Sequence, residues 1–200
     1  MNKIIFADSG TGKTFFRSYY SKSMNKKFYE PDWKNMWKIK DVKAEQEAFS
    51  YYESKRKEFE SMIEKGYQIL SALPLYFLYH VIQIPDIEFY YYYPAATEVQ
   101  QKEYSRRMRE RGDIEGYKIR KKYFIEMQEQ RVPTINKFKD LNLNDMHFIE
   151  IYNPNLYLLD FYDEKADAWL TYPKDNKTND PNIDYLKIYD PYRNIKVIGS

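Results

Sequence analysis

Apolar positions in this chain recur with two periods, and the two alternate from the first residues onward. Ile4, Ile5 and Phe6 form a continuous apolar run, the pattern of a short strand buried on both faces of a parallel sheet. A small polar stretch follows, and then Phe15, Phe16, Tyr19 and Tyr20 return at helical spacing, which predicts a helix over 14–23. Phe28 and Tyr29 suggest a second short strand, ending at Glu30, Pro31 and Asp32. From 44 to 65 the positions Phe49, Tyr52, Phe59, Met62 and Ile63 gather on one helical face, and Gly66 stands where a helix stops. Residues 67–71 read as a third strand, 74–83 as a helix stopped by Pro85, and "IEFYYYYP" (87–94) as a fourth strand whose tyrosines pack on both faces. Thr97 and Gln100 have the spacing of a capping box, opening a helix that ends at Gly112. Asp113 then caps a second helix, from Ile114 to about Gln130 and stopped before Pro133, and "HFIEIY" (147–152) is a fifth strand.

Strands alternating with helices specify an α/β fold with a mainly parallel sheet of five strands near 3–7, 27–30, 67–71, 87–93 and 147–152. In such sheets a ligand binds beyond the carboxyl ends of the strands, which places Gly10, Asp32, Ser71 and Pro94 around one crevice. Two hundred residues suffice for one domain and an appendage. We place the domain at 1–162 and a C-terminal extension at 163–200, where "YPKDNKTNDPN" is turn-like and "YLKIYDPYRNIKVI" reads as a strand or hairpin.

Charge is balanced, with 32 Lys and Arg against 30 Asp and Glu, so the chain as a whole does not attract polyanions, and nucleic acid is disfavoured as a partner. With no cysteine and only two histidines, His80 and His147, thiol catalysis, thiolate zinc sites and histidine-rich metal centres drop out. Both histidines read as structural. No apolar run approaches a membrane span and no leader pattern opens the chain, so the expectation is a cytoplasmic protein without membrane contact.

One loop carries chemistry. In "IIFADSGTGKTFF" (4–16), Ala7, Gly12, Lys13 and Thr14 satisfy the pattern [Ala/Gly]-x4-Gly-Lys-[Ser/Thr], between a predicted buried strand and a predicted helix. There the backbone amides from Ser9 through Gly10, Thr11, Gly12 and Lys13 to Thr14 face the positive end of the helix and can hold phosphate oxygens. Lys13 would reach the β and γ phosphates of ATP, and the Thr14 hydroxyl would bind Mg²⁺. The simpler alternative is a glycine turn with a solvated lysine.

Together with the loop, "FYEPDW" (28–33), "YYYYP" (90–94) and "YSRRMRERGD" (104–113) give an order of motifs that resembles the P-loop nucleoside monophosphate kinases, and more closely a group of small phage-encoded ATP-binding proteins of that type. The resemblance spans about residues 1–160. It implies a three-layer P-loop NTPase sandwich, with the helical hairpin at about 97–130 as a lid. It further implies a kinase with ATP and Mg²⁺ as cofactors, a nucleoside or deoxynucleoside monophosphate as substrate, and the host cytoplasm as location if the protein is viral. Under it Lys13, Asp32, Arg107 and Arg111 are the catalytic candidates, Arg106 and Arg109 join the loop in holding phosphates, and Asp32 shares Mg²⁺ with Thr14. Two departures stand out: Trp33 follows Glu30 and Asp32 where the family has serines, and "SALPLYF" (71–77) carries no second acidic Mg²⁺ partner.

Two blander assignments stay open: the arginines as a solvated helix face, and Glu30 and Asp32 as turn residues. So do two other functions. One is a polynucleotide 5′-kinase; the other is an ATP- or ADP-binding protein that acts through a protein partner or as a homodimer.

Overall fold

The computed structural model describes residues 2–8, 10–23, 28–33, 43–72, 77–141, 143 and 145–188, without the side chains of 14, 21–23 and 43–48. Five parallel strands form one sheet: β1 (Asn2–Ala7), β2 (Phe28–Tyr29), β3 (Gln68–Ser71), β4 (Ile87–Pro94) and β5 (Met146–Ile151), in the spatial order β2-β3-β1-β4-β5. The register sets Phe6 beside Ser71, Ala7 beside Tyr92 and Pro94 beside Ile151. All five carboxyl ends therefore lie along one edge. The chain moves from β1 outward to β2, back through β3, and then to β4 on the other side of β1, so the order reverses around β1. That reversal is where an open parallel sheet leaves a crevice.

Helices cover both faces. On one, Phe16 and Tyr20 of α1 (Lys13–Ser23) pack with Ile5, Leu70, Tyr90, Tyr92 and Ile151. On the other, Phe59 and Ile63 of α2 (Lys43–Glu64), Leu78 and Val81 of α3 (Leu78–Val81), and Ile135 and Phe138 of α6 (Val132–Asp140) pack with Ile4, Phe6, Ile69, Phe89, Tyr91 and Tyr93. The tyrosine run thus divides between two cores, Tyr90 and Tyr92 on one side and Tyr91 and Tyr93 on the other, as period-two alternation requires. Glycines at positive φ stop two helices: Gly66 (φ 80°) ends α2, and Gly112 (φ 79°) ends α4 (Glu98–Glu110). Asp113 accepts from the Gly116 amide at 2.9 Å and caps α5 (Ile114–Glu129).

The aromatics of α1 divide between core and surface: Phe16 and Tyr20 are buried, whereas Phe15 and Tyr19 are exposed and stack on each other, 6.1 Å between ring centroids. Phe49 is also exposed, its ring against His80. Helix α6 does not follow from the apolar pattern, because Pro133 reads as a stop; here it occupies the first turn, where a missing N–H is harmless. The capping box is half made. Thr97 accepts from the Gln100 amide at 3.4 Å, but the Gln100 side chain donates to the Ile151 carbonyl at 2.7 Å and ties α4 to β5.

Both histidines are packed: His80 Nδ1 lies 2.9 Å from Glu53, and the His147 ring rests on Tyr90. Much of the extension packs on the core as well. Trp169 of β7 (Ala168–Trp169) enters the α1-side cluster, where β7 pairs with β6 (Tyr162–Asp163) at the domain's end, and the short α7 (Tyr185–Ile188) buries Tyr185. That helical turn replaces the first part of the predicted strand or hairpin, the remainder of which lies outside the described residues.

Candidate functional site

The loop from Asp8 to Gly12 leaves the carboxyl end of β1, the central strand, and feeds directly into α1. Gly10 (φ 96°) and Gly12 (φ 94°) occupy left-handed backbone conformations. Each also has a neighbour where a side chain would start: a Cβ on Gly10 would lie 2.9 Å from the Met108 methyl, and one on Gly12 would lie 3.2 Å from the Tyr157 ring. Thr11 bonds back to the Asp8 carbonyl through its amide (3.2 Å) and its hydroxyl (2.7 Å), which tightens the turn. The first amides of α1 have no partner within the helix, so they point into the loop with the positive end of the dipole.

Lys13 is buried, and its ammonium donates to the carbonyls of Ala7 (2.5 Å) and Asp8 (2.9 Å). It is not the solvated lysine of a simple turn. Burial pushes its pKa down to about 8, against the pull of Asp8 and Glu30, with Arg111 and Arg120 adding to the depression. Ser9 and the Thr14 side chain lie outside the described residues.

The lid arginines divide. Arg107 is buried and belongs to the fold: it donates to Glu103 (2.7 Å), to the Gly10 carbonyl (2.9 Å) and to the carbonyls of Pro154 (2.6 Å) and Leu156 (3.3 Å), under the Tyr157 ring at 3.9 Å. A residue four positions from Glu103 on a helix shares its face, and that face is the inner one. Arg106 is bound by Glu103 and Glu110. Arg111 is exposed and pairs with Asp113 at 2.8 Å, and Arg109 is exposed beside Tyr117 and Lys121 along the groove between α4 and α5. The solvated-face description therefore fits Arg109 and Arg111 but not Arg107. Nor is α4 a detached flap, since Gln100 and Arg107 fasten it to the β5 end and to the loop.

Asp32 is exposed, on the same edge of the sheet as Lys13 but beyond the outermost strand. Of the two acids at the end of β2, the one coupled to Lys13 is Glu30, which also pairs with Arg17 at 3.5 Å. Next to them Trp33 donates from its indole to the buried Ser71 hydroxyl at 2.8 Å, which links the ends of β2 and β3.

Three residues at the site escaped the sequence reading: Asp8, Arg120 and Arg131. Asp8 is only 4 % exposed, and its carboxylate is held by Arg131, with Gln128 at 3.4 Å and the Tyr91 hydroxyl at 3.5 Å. Burial opposes its ionisation, but Arg131, Arg120 and Lys13 outweigh that and keep its pKa below the ordinary value. Arg120 comes from α5, and Arg131 stands at the cap of α6. Among the described residues, the buried Lys13, Arg107 and Arg120 and the partly buried Arg131 thus lie at the loop, with the buried acids Asp8 and Glu103 and the partly buried Glu30. The available signal was positional: an acid directly after a central strand, and a basic residue beside a helix-starting proline.

Among the described residues no group of three or more acidic or histidine side chains is placed to hold a metal, and no helix is long and apolar enough to cross a membrane. Comparison with protein-family models and with curated proteins finds no match.

Proposed function

We propose that this chain is an ATP-dependent phosphotransferase of the P-loop kind, with a nucleoside or deoxynucleoside monophosphate as acceptor. The observation that carries this reading is the buried Lys13, which directly follows two positive-φ glycines where the central strand enters α1, with its ammonium on the Ala7 and Asp8 carbonyls. A buried ammonium held only by carbonyls gains from an anion that brings full charge. Phosphoryl transfer asks a protein for positioning and cations more than for covalent chemistry, and the surplus of cations around the loop meets that demand. The donor's phosphates would lie on the amides from Gly10 to Thr14 with Lys13 against them.

Mg²⁺ keeps most of its ligands as water and phosphate oxygens. The Thr14 hydroxyl would take one position, and Glu30 or Asp32 would act through water. Bound Mg²⁺ supplies neutralisation of charge on the phosphates. Arg109 and Arg111 are the arginines of the hairpin with room to move toward substrate. The acceptor would lie at the ends of β2 and β3, near Arg17, Glu30 and Trp33.

A second reading, an ATP-binding protein that acts through a protein partner or as a homodimer, is favoured by one observation. Arg106 and Arg107 are committed to internal partners, which leaves fewer cations for transfer. Incubating the protein with MgATP and a panel of nucleoside monophosphates separates the two. The kinase reading expects a diphosphate from at least one acceptor and its loss in Lys13→Ala. Binding of ATP with no diphosphate from any acceptor selects the partner reading. Under either reading we place the protein in the cytoplasm, of the host if it is phage-encoded.

A further inference from the structure

Arg120 is 9 % exposed, and its Nη1 has no hydrogen-bond partner among the described residues. The Tyr104 hydroxyl beside the loop is also buried and unpartnered, while the Tyr104 ring covers Gly10. A buried guanidinium nitrogen left without an acceptor is costly, and an acceptor arriving from outside is one way such a group is satisfied. Arg131 does have an acceptor, the Asp8 carboxylate, but Asp8 is a single carboxylate shared with Gln128 and Tyr91. Arg120 and Lys13 lie within electrostatic reach of that same carboxylate. Three cations thus converge on one monoanion, with two unused donors beside it.

We propose that Arg120, Arg131 and the Tyr104 hydroxyl form a phosphate subsite separate from the loop amides, and that Asp8 is its built-in competitor, which an entering phosphate dianion displaces from Arg131. A tetrahedral dianion offers more acceptor oxygens than a carboxylate and satisfies Arg120 and Tyr104 along with Arg131. Burial keeps the Tyr104 hydroxyl protonated, since its pKa is raised, so it faces the site as a donor. The consequence is selectivity by charge: a phosphate dianion wins the exchange with Asp8, whereas a carboxylate ligand gains little. The inference rests on the loop being the phosphate cradle, because the subsite would hold the outermost phosphate of a chain anchored there.

The test is calorimetric titration of the full-length protein with MgATP and, separately, with magnesium pyrophosphate. Asp8→Asn keeps the shape and removes the competing charge, so both probes should bind about tenfold tighter or more. Arg120→Met should weaken both by about tenfold or more, yet leave the melting temperature unchanged or raised, because a buried unpartnered cation has been replaced by a packed apolar chain. Should Asp8→Asn fail to fold, Arg120→Met alone decides. Binding by wild type with no change in Arg120→Met, or weaker binding in a folded Asp8→Asn, overturns the subsite and leaves the cradle standing. A marked fall in melting temperature for Arg120→Met also overturns it, by making Arg120 a structural residue. No binding of either probe by wild type removes both the cradle and the subsite.

Discussion

Removing Arg107 should damage the fold before it touches any chemistry, and the size of the effect can be worked from its contacts. In Arg107→Ala the Gly10 and Pro154 carbonyls lose bonds of 2.9 and 2.6 Å, and the Leu156 carbonyl loses a weaker one of 3.3 Å. A buried acceptor left unsatisfied costs about 1–3 kcal/mol. The buried Glu103 does not become an orphan charge, because Arg106 still donates to both of its oxygens. The loss therefore comes mainly from the two short carbonyl bonds and the vacated space under Tyr157, about 3–5 kcal/mol in all. For a chain of this size that corresponds to roughly 6–20 °C in melting temperature. Arg109→Ala and Arg111→Ala are the controls: both side chains are exposed, and each should change stability by no more than about 0.5 kcal/mol. Thermal unfolding followed by circular dichroism reads all three. Arg107→Ala melting within a degree of wild type would refute the assignment of Arg107 to the fold.

The depressed Lys13 pKa predicts that ATP affinity falls as pH rises through about 8, and that Lys13→Arg removes the fall; a pH series of calorimetric titrations checks it. The sign for stability is opposite, because the folded chain sheds this proton before the unfolded chain does, near 10.5. The penalty of burying the cation is present below about pH 8 and is relieved between there and 10.5, so the change in urea midpoint on Lys13→Met should be more favourable at pH 7 than at pH 10. Gly10→Ala forces a side chain into a left-handed backbone and against Met108, and should destabilise by about 1–3 kcal/mol in urea titration. Trp169→Ala opens the α1-side cluster and should cost about 3–5 kcal/mol by the same assay, far more than an appendage resting on the surface would show.

The sheet was legible because its strands are short apolar runs separated by helical periods, and a parallel sheet buried on both faces demands that pattern. The five strands fall within two residues of their expected ends. Helix ends were legible where glycine or aspartate had a local reason to be there, at Gly66, Gly112 and Asp113. Pro133 was ambiguous, since proline both ends a helix and opens one, and only the packing of Ile135 and Phe138 decides which. Which aromatics of α1 face the sheet was not legible, because four aromatics in six residues span more than one face, and sequence does not say which pair the sheet takes. At the site, the loop was readable as a local motif, whereas the roles of the charged residues depend on partners far along the chain. Arg107 meets Gly10 across 97 positions and Arg131 meets Asp8 across 123, and charge runs alone do not reveal such pairings.

Calorimetric titration of MgATP into wild type and into Lys13→Ala asks whether the loop from Asp8 to Thr14 holds phosphate. Saturable binding by wild type is expected, and at least about a hundredfold weaker binding by a variant that circular dichroism shows to be folded, because a buried charge-assisted contact to phosphate is lost. Equal affinity in the two proteins, or no binding by wild type, would contradict a phosphate-holding loop.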